Sequence, residues 1–171
     1  MTDVINDEII ISSGQSVSDL NVGKDALVTI QNGGTLTTAT VHDEGMVDVE
    51  AGGILTDVKL DSDGWVEVKD GGTLATVNVN QGSWLTIFSG GTATGVAENG
   101  GYVDDRNGAI VTFVANTIPS LVVSADQYAT IHEATTVTTT LVTGDEYGAG
   151  WLNIYPGATV NDLTEIGRAH V

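Results

Sequence analysis

Val47 to Trp65 reads VDVEAGGILTDVKLDSDGW, and the next nineteen residues, Val66 to Trp84, read VEVKDGGTLATVNVNQGSW. The two segments agree column by column. Each opens on an apolar-acidic-apolar triplet, continues through a Gly-Gly pair with a leucine two residues beyond it, and closes on two further apolar positions. Outward from this pair, Gly14, Gly33, Gly52, Gly71 and Gly90 fall in one column, and Gln15, Gly34, Gly53, Gly72 and Gly91 in the next. Apolar residues lead into each turn (Val28 and Ile30, Val47 and Val49, Val66 and Val68, Leu85 and Ile87). Others follow it in Leu36, Leu55, Leu74 and Ala93, and then in pairs such as Ala39 with Val41 and Val58 with Leu60. Alternating apolar and polar positions are the period-two mark of β structure.

A single unit of this kind cannot bury its own apolar face, whereas stacked copies can. Self-similarity at a fixed period near twenty residues therefore predicts a solenoid. A corner that recurs on every coil needs positive φ or close backbone approach, and glycine meets both needs. At roughly 3.3 Å per extended residue one unit has a contour of about 60 Å, enough for one closed coil, with neighbouring coils about 4.8 Å apart. The expected fold is all-β: a β-solenoid, or β-helix, of about eight or nine stacked coils with 19-residue repeats. Val, Ile, Thr and Gly dominate, and no long stretch repeats at 3.6, so helices are not expected.

Residues 1–8 read as an N-terminal lead-in and 9–164 as one solenoid domain. The register weakens over 102–150. There Asp104, Asp105 and Arg106 resemble a coil with one residue missing, and Arg106 stands near the place held by Ile87 and Val68. The pattern returns at Trp151–Val160, which matches Trp84–Ala93 position for position. The middle reads as coils with longer corners. The last seven residues, EIGRAHV at 165–171, break the composition abruptly. They are the translation of GAG ATC GGA AGA GCA CAC GTC, which resembles the start of a short-read sequencing adapter whose next codon is a stop. They are read as adapter-derived and not native, and are set apart from the fold.

The chain has five basic and twenty-three acidic residues, a net charge of −18 and no cysteine. Phosphate binding needs clustered Lys and Arg, so neither nucleic acid nor an anionic membrane is an expected partner. No apolar run is long enough to span a bilayer, and residues 1–13 lack the basic start and apolar core of a signal peptide.

The units VTIQNGGTLTTATVHDEGM, VDVEAGGILTDVKLDSDGW, VEVKDGGTLATVNVNQGSW and LTIFSGGTATGVAENGG resemble the strand-loop-strand passenger repeats of AIDA-type autotransporter adhesins, which carry a Gly-Gly turn followed by Thr every nineteen positions. The resemblance covers about Ile9 to Gly101, with a further copy at 151–164. It implies a β-helical passenger on the bacterial cell surface or secreted outside it, with an adhesive or matrix-forming role. The expected partners are host-cell or matrix glycans or proteins, or other copies of the chain. Some members are heptosylated on serines and threonines beside the turn. The residue before the first turn glycine is a serine here only at Ser13 and Ser89, which the resemblance marks as glycosylation candidates. Thr35, Thr73 and Thr92 are also explained by β propensity.

Trp65 and Trp84 share a column with Leu27 and Met46, and Trp151 takes the matching place in the last copy. One coil apart, such rings form either an apolar seam or a platform for sugar rings. Acidic pairs (Asp61 with Asp63, Asp104 with Asp105, Asp145 with Glu146) lack EF-hand or calcium β-roll spacing and read as solvated loops, so neither metal nor cofactor is expected. The catalytic alternative has thin support. Asp104, Asp105 and Arg106 are the one local set with lyase-like chemistry, and they read more simply as a surface ion pair. His42 and His132 stand alone in sequence, and His170 lies in the segment set apart. The column Thr37, Thr56, Ala75, Thr94 is broken by alanine and flanked by acids, which argues against an ice-binding face. The sequence thus predicts a structural or adhesive repeat segment without catalysis; the alternative is a carbohydrate-binding or carbohydrate-active β-helix.

Overall fold

The computed structural model describes residues 4–5, as backbone only, and 7–171. The chain runs through β1 (Val4–Ile5), β2 (Glu8–Ile11), β3 (Ser16–Val22), β4 (Leu27–Ile30), β5 (Thr35–Val41), β6 (Met46–Val49) and β7 (Ile54–Leu60). It continues through β8 (Trp65–Val68), β9 (Thr73–Asn80), β10 (Trp84–Ile87), β11 (Thr92–Asn99), β12 (Tyr102–Asp105), β13 (Ile110–Phe113) and β14 (Asn116–Val123). The remainder is β15 (Tyr128–Ile131), β16 (Thr135–Thr143), β17 (Gly150–Ile154), β18 (Thr159–Val160), β19 (Leu163–Ile166) and β20 (Ala169–His170). These strands make a β-solenoid of about nine turns with the expected spacing of roughly 19 residues.

Strands pair in parallel with their counterparts one coil away. One sheet stacks β1-β3-β5-β7-β9-β11-β13, and a second stacks β2-β4-β6-β8-β10-β12. A Gly-Gly turn links the short strand to the long one in the coils at 33–34, 52–53, 71–72 and 90–91, and Gly14–Gln15 does so in the first. The first glycine takes positive φ, 77° at Gly33 and 76° at Gly52, and its N–H bonds to the equivalent carbonyl of the following coil, Gly33 to Gly52 at 2.9 Å. The second has no room for a side chain: a Cβ on Gly34 would lie 2.2 Å from the Ile11 carbonyl oxygen.

The long strands carry a feature that the alternation encodes without announcing. Asp19, Thr38, Asp57, Thr76 and Gly95, nineteen apart, sit in the left-handed region at φ 59°, 62°, 53°, 60° and 67°. The ladder skips each of them. One unpaired residue shifts the side-chain phase by one. That is why the buried positions of β5 are Leu36, then Ala39 and Val41, and not 36, 38 and 40.

Val47, Val49, Val66, Val68, Leu85 and Ile87 are all fully buried, in aligned ladders. Between them Asp48 and Glu67 are half-buried. Thr86, in the same outward-facing column as Asp48 and Glu67, is only 4% exposed, because it pairs between the longer side chains of Glu67 and Asp104.

The second sheet stops with β12 at Asp105 and the first with β13 at Phe113, and new ones begin: β14-β16-β18, with β19 also on β16, and β15-β17-β20. The buried apolar side chains divide accordingly into two cores, one spanning Ile11 to Val103 and the other Ile118 to Leu152. The missing residue lies ahead of β12, since Trp84 pairs with Tyr102. Asp105, not Arg106, therefore takes the column of Val68 and Ile87; Arg106 falls one place later, its N–H on the Ile87 carbonyl. Glu8 already belongs to β2. Residues 165 and 166 complete β19, and Ala169 with His170 forms β20 beside β17.

Candidate functional site

The first residue of each strand in the second sheet lies directly opposite its counterpart one coil away: Glu8, then Leu27, Met46, Trp65, Trp84 and Tyr102. Parallel pairing in strict register brings their side chains together at strand spacing. The column continues past the break. Tyr128 pairs with Trp151, and Trp151 with His170. Ring centroids follow at 6.0 Å from Trp65 to Trp84, 4.7 Å from Trp84 to Tyr102, 6.2 Å from Tyr102 to Tyr128 and 6.3 Å from Tyr128 to Trp151. Each lies in the range where aromatic pairs attract. Burial pushes the Tyr102 hydroxyl above its usual pKa, with Asp104 and Tyr128 acting in the same direction.

Trp65, Trp84 and Trp151 thus belong to one continuous stripe. Tyr102 and Tyr128 belong with them and escape the sequence reading, because the nineteen-residue count fails on both sides of Tyr102. A usable signal exists: Gly101 precedes Tyr102 as Gly64 precedes Trp65 and Gly150 precedes Trp151. Leu27 and Met46 are half-buried, so the lower part of the column is a seam; Trp65, Tyr128 and Trp151 are about two-fifths exposed. Met46, Trp65 and Trp84 line a recess of about 360 Å³ edged by Glu44 and Asp63.

Ser13 and Ser89 are exposed at equivalent corners, Ser13 before Gly14–Gln15 and Ser89 before Gly90–Gly91. Each hydroxyl reaches over the corner of the next coil, where a Cβ on Gly33 or Gly108 would lie 2.7 or 2.5 Å from it.

A second constellation, unseen in sequence, lies between the two cores. Glu98 stands in the column of Val79 and is fully buried. Its Oε1 accepts from the Thr130 hydroxyl (2.9 Å) and His132 Nδ1 (2.7 Å), and its Oε2 from the His132 N–H (2.7 Å) and the Thr135 hydroxyl (3.1 Å). Thr130 Oγ1 in turn accepts the Val103 N–H at 2.9 Å, standing in for a carbonyl where the ladder is interrupted. The His132 ring is stacked between Phe113 and Tyr155, and its Nε2 lies 3.4 Å from Asp105. Both threonine hydroxyls are committed to Glu98, so the group is built as a joint. His42 is remote from it, bonded to Asn21 and Asp43.

Asp104, Asp105 and Arg106 turn to different partners. Arg106 pairs with Asp104 at 3.1 Å and covers the Phe88 ring at 4.0 Å, while Asp105 turns to His132. Asp61 is held by Lys59 and Asn80, and Asp145 accepts the N–H groups of Tyr147 and Gly148, which hold its carboxyl below the usual range. Among the described residues no three metal-ligating side chains converge, and no helix is long and apolar enough to cross a membrane.

No family model matches the chain, and no curated protein matches it in sequence. Among solved structures it is similar to the crystal structure of a TibC-catalyzed hyper-glycosylated TibA fragment, with a TM-score of 0.58 over 97% of each chain and 16% identity. At that identity the likeness is one of fold, a β-solenoid of matching extent.

Proposed function

We propose that this chain is a non-catalytic adhesive rod from a bacterial surface or secreted protein, and that its aromatic stripe is the face that meets a glycan. The observation that carries the reading is the run of rings from Trp65 to Trp151, unbroken across the joint where both sheets stop. Sugar rings stack on aromatic faces through their apolar C–H surfaces, and a rigid row of such faces loses little entropy on binding. The AIDA-type repeat pattern and the solenoid fold shared with the TibA fragment support an extracellular setting. Binding of the purified chain to an array of host and matrix glycans tests it. Trp65→Ala and Trp151→Ala should each lower retention at least several-fold without changing the circular dichroism spectrum. Unchanged retention in both would overturn the assignment.

The hyper-glycosylation of the TibA fragment also bears on Ser13 and Ser89, which project from equivalent corners. We propose both as acceptor sites for a glycosyltransferase of the producing cell. Intact mass with Ser13→Ala and Ser89→Ala as controls reads this directly; a modified mass that persists in the double variant places the sugar elsewhere.

A further inference from the structure

We propose that the recess formed by Met46, Trp65 and Trp84 selects an amine-bearing, positively charged sugar unit over a neutral one. The inference rests on the glycan reading above and names the charge of the ligand. The floor of the recess is aromatic, with Trp65 and Trp84 tilted at 31° and 6.0 Å apart. Its edge carries Glu44 and Asp63, both exposed. Among the described residues neither carboxylate is engaged in a hydrogen bond or ion pair with another side chain. Lys24 lines the adjoining hollow together with Asp43, Glu44 and Asp63, one cation among three carboxylates, so the rim stays negative. Asp48 and Glu67 flank the same stripe on its other side, at the outward positions of β6 and β8, and Lys69 lies nearest Glu67 there.

Two independent attractions therefore converge on a cation that presents a flat apolar ring. An ammonium group over an indole face is held by the ring quadrupole, and it gains further from carboxylates a few ångströms away. A neutral sugar would stack equally well but would leave the rim carboxylates to water. An anionic sugar would be repelled by them. With a net charge of −18 the whole chain adds long-range steering toward the same kind of ligand.

The test uses two oligosaccharides of equal length and linkage, a β-1,4-linked glucosamine hexamer with free amines and its fully N-acetylated counterpart. Both are titrated calorimetrically into the full chain under the same mildly acidic buffer, in which the sugar amines are protonated. The free-amine oligomer should bind at least tenfold more tightly. Glu44→Gln combined with Asp63→Asn should erase that preference, bringing the free-amine oligomer down to the affinity of the acetylated one, and Trp65→Ala should weaken both. Equal affinity of the wild type for the two oligomers would overturn the charge selection while leaving the glycan surface intact. A preference that survives in the variant carrying both Glu44→Gln and Asp63→Asn would show diffuse attraction to an acidic rod and would also overturn it. Absence of binding to either oligomer while the array still retains the wild-type chain would overturn this inference alone.

Discussion

His132 donates from Nδ1 to Glu98 at 2.7 Å across the boundary between the two hydrophobic cores, joining residues thirty-four apart in sequence. Glu98 occupies a column otherwise filled by Val22, Val41, Leu60 and Val79, so a carboxylate replaces an apolar side chain where the backbone ladder ends. Its four hydrogen bonds offset the cost of burying it.

Glu98→Ala should destabilise the chain by about 3–5 kcal/mol, because it strands His132, Thr130 and Thr135 as buried unpaired polar groups. Glu98→Val, which restores the apolar column, should be as damaging for the same reason. Urea unfolding reads the loss, and a valine variant as stable as the wild type would show that the joint is dispensable.

The left-handed column offers gains instead. Thr38 and Thr76 are β-branched residues at φ 62° and 60°, a conformation that disfavours them by about 1–2 kcal/mol. Thr76→Gly should therefore stabilise by roughly 0.5–1 kcal/mol after glycine's own entropy is subtracted. Gly95→Thr, at the same column position, should cost a similar amount. Thermal unfolding of the pair checks both signs.

The ladder assignment is tested by Val68→Asp against Glu67→Gln. The first puts an unpaired charge at a fully buried site and should cost several kcal/mol. The second should be nearly silent. Equal melting shifts would mean that the inward face has been misassigned.

Those apolar ladders are legible in the sequence because one buried face and a fixed period constrain every coil alike. Phase shifts at Thr38 and Thr76 are visible only as an odd spacing of apolar residues, since αL geometry leaves no mark on a threonine. The aromatic stripe is legible in part: Trp65, Trp84 and Trp151 keep a recognisable frame, whereas Tyr102 and Tyr128 lie beyond a one-residue deletion and a longer coil. The Glu98–His132 joint is illegible, because its partners come from different coils and no local motif ties a glutamate in β11 to a histidine after β15.

Asp48 gives a pH signature. Burial raises its pKa above the ordinary carboxylate value; Lys69 opposes the shift and Glu50 adds to it. The native state thus holds this proton more tightly than the unfolded chain, and the ionised form is a stability penalty that sets in as pH rises from the unfolded pKa through the folded one. Asp48→Asn should raise the melting temperature at pH 7, and the gain should vanish below about pH 3.5, where both states are protonated. A pH-independent difference would point to packing instead of charge.

We propose that residues 165–171 are adapter-derived. Leu163 to Ile166 are all exposed on β19, and β20 adds two residues to the edge of β17. Sequencing the locus from an independent library should replace EIGRAHV with other codons; genomic sequence running through it to a native stop would refute the proposal.

The interrupted ladder at residues 113–116 has a mechanical meaning. Hydrogen bonds between coils run along the rod, so a pull on its two ends loads them one coil at a time. Each coil that peels away releases about 60 Å of chain at roughly 3.3 Å per residue. Between β12 and β15 the continuous backbone pairing gives way to an isolated bond from the Thr130 N–H to the Gly101 carbonyl at 3.2 Å and to side chains, Thr130 and Glu98 among them. In force spectroscopy the trace should break first there, into a stiff N-terminal block and a softer remainder, and Glu98→Ala should lower that first rupture force while leaving the later ones in place.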